Sequence, residues 1–185
     1  LDGKTIIITG ASKGLGVEMA KVCSREGASV VLAARSMERL DTIASEIRTN
    51  GKRALAIECD VSSRPDLDRV VEETVNEFGR IDGLINNAGV NFVKPFLETT
   101  EEEWDHIMDV DLKGSFFLTQ ACAKQMIEQT PRGGSIVQIA SVHTLASLRG
   151  AGPYDAAKRG MIGYSKAAAL ELALYGVRVN VLSPG

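Results

Sequence analysis

Histidine and cysteine are scarce in this 185-residue chain, and the scarcity bears first on metal chemistry. His106 and His143 form no cluster, and Cys23, Cys59 and Cys122 are widely spaced without a Cys-x-x-Cys, so neither a zinc site nor a disulfide framework is expected. The thiols read as buried, and no metal is called for. Basic residues are not in excess either: a net charge of −3 argues against a nucleic-acid partner. No window approaches ~18 uncharged apolar residues, and no charged-then-apolar leader precedes the first strand. Neither a membrane span nor a signal peptide is expected, and a cytoplasmic setting follows. Tandem repeats, low-complexity tracts and linkers are also missing, so residues 1–185 are read as one domain. With 44% hydrophobic and 24% charged residues, that domain can bury a real core.

What is present is an alternation of two periods. Thr5-Ile6-Ile7-Ile8-Thr9 is β-branched without polar alternation, the pattern of a strand covered on both faces. Helical spacing takes over from Leu15, with Met19, Val22 and Cys23, and Gly27 supplies a stop. Further strands are predicted at 28–34, 54–58, 83–86, 135–140 and 177–182. Between them, Ser36 is expected to cap one helix, and Ser63 with Asp66 to cap another bearing Leu67, Val70, Val71, Val75 and Phe78. Thr100 and Glu103 make a capping box before Trp104, Ile107 and Met108. A separate helical stretch is expected over 112–129, and a long helix over about 153–174. Strands alternating with helices imply right-handed crossovers and a doubly wound parallel α/β sheet, a Rossmann fold in order 3-2-1-4-5-6. Its ligand crevice lies beyond the carboxyl ends of the strands, between the first and fourth.

Several unusual residues fall at those ends. Gly10, Gly14 and Gly16 permit a tight turn and close backbone approach to a diphosphate at a helix N-terminus, in a loop that also holds Ser12, Lys13 and Leu15. The loop lacks the Gly-Lys-Ser/Thr ending of a nucleoside-triphosphate site. Where a carboxylate would take the ribose hydroxyls of NAD, the chain has Arg35. With Lys13 it suits a 2′-phosphate, so NADP(H) is preferred over NAD, unless Arg35 is merely solvated. Tyr154 and Lys158 stand one helical turn apart, and an ammonium beside a phenol is expected to lower its pKa towards the range of a useful proton donor or acceptor. Ser141 lies thirteen residues upstream of Tyr154. No Gly-x-Ser-x-Gly elbow surrounds it, so a nucleophilic role is not expected.

This set resembles the classical short-chain dehydrogenase/reductase family from end to end: Thr9 to Gly16, the Asp60-Val61 pair, Asn86-Asn87-Ala88-Gly89, Ser141, Tyr154, Lys158 and the closing Pro184-Gly185. The resemblance implies that Asp60 and Val61 contact adenine, that Asn87 and Ala88 line the cofactor cleft, and that Leu15 adds a backbone contact to the phosphates. It implies that Ser141 polarises the substrate oxygen, Tyr154 transfers the proton and Lys158 holds the nicotinamide ribose. Asp111 stands where the family usually has an asparagine holding a relay water, so a changed tuning of Tyr154 is expected. The family usually continues past the Pro-Gly element with a lid segment and an edge strand; this sequence stops at Gly185, so a fragment or a lidless form is expected. Val90, Asn91, Val142, His143 and Arg149 are candidates for the remaining substrate wall, with His143 shaping the pocket or solvated. The expected activity is hydride transfer between NADP(H) and a carbonyl or secondary alcohol. 3-Oxoacyl-carrier-protein reductases and gluconate 5-dehydrogenases are the nearest subfamily candidates, and a dinucleotide-binding sensor or scaffold without turnover is the rival. Apolar faces over 112–126 and 161–174 suggest a homodimer or homotetramer, unless both are core.

Overall fold

The structure is a computed structural model and describes residues 1–185. All five residues of β1 (Thr5–Thr9) are buried, as a strand covered on both faces must be. The chain continues through α1 (Leu15–Arg25), β2 (Ser29–Ala34), α2 (Met37–Thr49), β3 (Ala54–Glu58), α3 (Arg64–Phe78) and β4 (Gly83–Asn86). Then follow α4 (Glu101–Ile107), α5 (Ser115–Glu128), β5 (Gly134–Ile139), α6 (Gly152–Leu172) and β6 (Val177–Leu182). The strands form one parallel sheet in the predicted order, β3-β2-β1-β4-β5-β6.

Register sorts the apolar side chains into two layers. Ile7 pairs with Val31 and Leu84, Leu84 with Ile136, and Ile136 with Val179. These residues share one face of the sheet with Leu67 and Val70 of α3 and Leu118, Cys122 and Met126 of α5. Their sequence neighbours Ile6, Ile8, Val30 and Leu32 point the other way, onto Ala20 and Cys23 of α1 and Leu40, Ile43 and Ile47 of α2. Each large side chain so buried contributes about 1.5–3 kcal/mol. The reversal of strand order between β1 and β4 leaves a cleft above their carboxyl ends, because the loops there diverge to opposite faces.

Two local expectations are corrected. The helical stretches on either side of residue 110 are not separate: α4 passes into α5 through a π-helical segment, Met108–Gly114, with helical backbone angles at both junctions. The wider π turn carries Asp111, which is completely buried. Ser36 and Ser63 occupy the N-cap positions of α2 and α3, yet neither side chain makes a capping hydrogen bond. Asp66 is one methylene shorter than the glutamate of a capping box. Its carboxylate instead accepts the Asp60 N–H at 2.9 Å and pairs with Arg69 at 3.1 Å, steadying the loop after β3. The Thr100–Glu103 box forms as predicted.

Candidate active site

The turn between β1 and α1 is built around close approach. Gly10 and Gly14 take positive φ, and a Cβ on Gly16 would overlap the Gly10 carbonyl and crowd the Asn87 amide. Asn87 explains the crowding: its Nδ2 donates to the Thr9 carbonyl at 2.9 Å, while the Asn87 and Ala88 N–H groups both donate to Thr9 Oγ1 at 3.0 Å. The end of β4 is thereby tied to the end of β1, and the turn is held open towards solvent. Nothing stands within 4 Å of a Cβ built at Gly14, so the N-terminus of α1 faces free space.

Above this turn lies a crevice of about 590 Å³. Gly10, Ser12, Lys13, Gly14, Leu15, Arg35, Asp60, Val61, Asn87 and Ala88 all line it, so the residues singled out in the sequence for a dinucleotide converge on one cleft. Gly16 sits beneath it as packing. Two further residues belong to the cationic end: Ser36, whose hydroxyl is left free by the missing cap bond, and Arg39. Arg39 was not anticipated: Arg35 precedes the Ser36 N-cap and lies outside α2, so helical spacing does not link the two. Asp60 is held below the usual carboxylate range, first by the Ser62 hydroxyl at 2.7 Å and also by Arg35 across the cleft. An open cleft over free helical N–H groups, cationic at one end, fits a phosphorylated dinucleotide.

Tyr154 and Lys158, also singled out for the cofactor, are not among the residues lining the crevice; they stand behind its Gly89 wall and project from the same face of α6, with Nζ 5.4 Å from the phenol ring centroid. The expected lowering of the phenol pKa is not found. Lys158 is buried and directed elsewhere: Nζ donates to the Ile139 carbonyl at 3.1 Å and pairs with Asp111 Oδ2 at 3.2 Å. Burial pushes the Tyr154 phenol above its ordinary value, the Ser141 hydroxyl pulls it back by hydrogen bonding, and the charges of Asp111 and Asp155 push it further up.

Asp111 is the pivot of this arrangement. Its Oδ1 accepts the Val90 N–H at 2.7 Å, while Oδ2 faces Lys158 without a well-directed hydrogen bond. Burial raises its carboxyl, and the Lys158 ammonium opposes that. A Cβ on Gly89 would lie 2.8 Å from Oδ2 and 3.3 Å from Nζ, so the glycine leaves room for the pair.

His143 is neither solvated nor simply lining a wall. Its Nδ1 lies 2.7 Å from Asp155 Oδ1, its ring meets Tyr154 edge-on at 5.3 Å, and its backbone N–H donates to Ser141 Oγ at 3.2 Å. Asp155 was also missed, because nothing in the spacing links it to a histidine in a loop twelve residues earlier. Of the other wall candidates, Val90 lines the large crevice, while Asn91 and Arg149 are exposed. A separate hollow of about 370 Å³ beside Asp155 is lined by Phe96, Leu148, Gly152 and Arg159.

Fold and site together define a nicotinamide-dependent oxidoreductase: a doubly wound sheet, a glycine turn under a dinucleotide-sized cleft, and a tyrosine, lysine and serine clustered beside its Gly89 wall. The family model described as short chain dehydrogenase matches residues 4–185, and the chain belongs to that family. It is 37% identical over its whole length to a 3-oxoacyl-acyl-carrier-protein reductase of Synechocystis, covering 74% of that protein. It is 34% identical to dehydrogenase/reductase SDR family member 4 of Oryctolagus cuniculus, covering 71% of it. A crystal structure of a short chain dehydrogenase from Mycobacterium smegmatis superposes with a TM-score of 0.96 at 34% identity, over all of this chain and 77% of that one. No helix is long and apolar enough to cross a membrane.

Proposed function

We propose that the protein is an NADPH-dependent carbonyl reductase in which Tyr154 gives a proton to the substrate oxygen. The observation that carries this reading is a pair of neighbouring features: a cleft lined by Lys13, Arg35 and Arg39, and a Ser141, Tyr154 and Lys158 cluster that adjoins its wall at Gly89, where a Cβ would stand 3.3 Å from Lys158 Nζ. When bound, the cofactor supplies the hydride that reduces the carbonyl carbon. Arg35 and Arg39 present planar, fixed donors to a 2′-phosphate, and Lys13 adds a point charge. Asp60 and Val61 would contact the adenine, and Asn87 with Ala88 would line the rest of the cofactor cleft. Ser141 donates a hydrogen bond to the substrate oxygen and orients it towards the phenol. Tyr154, held protonated by its burial and its anionic neighbours, is suited to donate. Lys158, paired with Asp111 at 3.2 Å, would hold the cofactor ribose.

The names borne by its relatives make 3-oxoacyl thioesters the first substrates to test; sugar acids such as 5-ketogluconate, suggested by the sequence resemblance alone, come second. Self-association belongs to the same reading: Phe116 on α5 and Leu170 on α6 are exposed, and a hollow of about 240 Å³ runs between the two helices. The three buried thiols agree with a cytoplasmic setting. The test is NADPH oxidation across a carbonyl panel, repeated with NADH. Turnover that prefers NADPH and disappears in Tyr154→Phe supports the reading; turnover that survives this substitution refutes it.

A further inference from the structure

Two carboxylates stand near Tyr154, and each is held by a nitrogen-bearing side chain of its own. Asp111, from the π-helical segment, faces Lys158 of α6 at 3.2 Å. Asp155, the next residue along α6, faces His143 from the loop after β5 at 2.7 Å. The second pair is well enclosed, with 16% of the His143 side chain and 9% of the Asp155 side chain exposed. Its imidazole does two further things. The ring rests edge-on against the phenol at 87°, and its own backbone N–H donates to Ser141 Oγ. His143 therefore touches both groups that address the substrate oxygen, while its side chain is pinned by the acid beside Tyr154.

We propose that His143 and Asp155 form a positioning pair for Tyr154, in which Asp155 anchors the imidazole and the imidazole holds the phenol and occupies the lone pairs of a carboxylate that would otherwise act on it. The proposal rests on Tyr154 being the proton-transferring group. The physical reasoning is electrostatic and steric together. An unpaired carboxylate close to a phenol disfavours phenolate, and Asp155 acts in that direction on Tyr154. A hydrogen bond from Nδ1–H spreads the charge over the pair and weakens its effect. An edge-to-face ring contact also restricts the phenol. The other charged groups around Tyr154 are Asp111 and Lys158, and they satisfy each other. Asp155 is the carboxylate whose influence depends on a histidine.

The test is a double-mutant cycle of His143→Gln and Asp155→Asn, read in two ways. The first readout is the titration of Tyr154 itself by NMR of protein carrying 13Cζ-labelled tyrosine, where three tyrosines give three signals and Tyr154→Phe assigns one. It needs no turnover, so it stands even if the reading of the activity fails. His143→Gln should move the Tyr154 titration to higher pH, Asp155→Asn should move it lower, and His143→Gln should have no further effect once Asp155 is Asn. The second readout is the pH profile of alcohol oxidation. His143→Gln should slow oxidation on the order of threefold to tenfold at a fixed neutral pH, with most of the loss restored at alkaline pH. Should the two substitutions act independently, or leave the Tyr154 signal unmoved while both variants stay folded, the pair is not a positioning device. His143→Asn, which keeps a donor near the ring Nδ1 position, is the rescue control and should fall between Gln and wild type.

Discussion

Asp111→Ala should unfold this protein far more readily than Asp111→Asn, and the difference follows from what each change leaves behind. Alanine removes the acceptor of the Val90 N–H and the counter-charge of Lys158, whose ammonium then retains only the Ile139 carbonyl at 3.1 Å. A buried charge stripped of its partner costs about 3–5 kcal/mol. In a domain of this size that corresponds to a fall in Tm of roughly 6–20 °C, at about 2–4 °C per kcal/mol. Asparagine keeps the volume and an acceptor for Val90, and it removes a carboxylate that is itself poorly solvated. A loss of about 1.5–3 kcal/mol is expected, the size of one hydrogen bond to a charged group. The pH dependence separates the two effects. Burial raises the Asp111 carboxyl above the usual 3.8, so the folded chain holds that proton more tightly than the unfolded one. As pH rises from the ordinary carboxylate value through the raised one, wild type should lose stability relative to Asp111→Asn. Urea unfolding of the three proteins at acid and neutral pH measures both. An Asp111→Ala variant as stable as wild type would show that Lys158 does not depend on Asp111, and the account of the ion pair would fall.

Arg35→Ala and Arg39→Ala should each weaken NADPH binding by about 1.5–3 kcal/mol, the range for a charged hydrogen bond, and leave NADH almost untouched; fluorescence titration with both nucleotides checks this, and equal losses would refute the phosphate assignment. Gly89→Ala places a Cβ 2.8 Å from Asp111 Oδ2 and must push the carboxylate away from Lys158. Overpacking of this kind costs about 1–3 kcal/mol, visible as a lower urea midpoint that largely disappears when Asp111 is already Ala. Because Tyr154 is held above its ordinary value, carbonyl reduction should stay flat across neutral pH, whereas alcohol oxidation, which needs phenolate, should rise throughout. A reduction rate that falls already below neutral pH, or an oxidation rate that levels off there, would contradict that placement.

The sheet order was legible because it depends on periodicity: runs such as Ile6-Ile7-Ile8 are buried on both faces, and register then assigns alternate side chains to the two layers. The glycine turn was legible too, since close backbone approach allows few alternatives at Gly16. Charge was not legible in the same way. The spacing of Tyr154 and Lys158 correctly places both on one face of α6, but spacing along a helix says nothing of what approaches from other elements. Asp111 arrives from a π turn that no propensity marks, and it takes up the lysine's charge. Asp155 gains its partner from a loop on another strand's end. Burial raises the phenol first, and the charges of Asp111 and of Asp155 beside it add to that, so the direction of the shift is not set by the lysine one turn along the helix. The same reasoning explains why Ser63 and Asp66 misled: a capping box is a local pattern, and Asp66 found a stronger partner in the Asp60 N–H, a contact that fixes the loop lining the cofactor cleft. Local patterns therefore place the backbone of this site, whereas the protonation of its tyrosine is decided by burial and by groups from the π segment, the segment after β5 and its own helix.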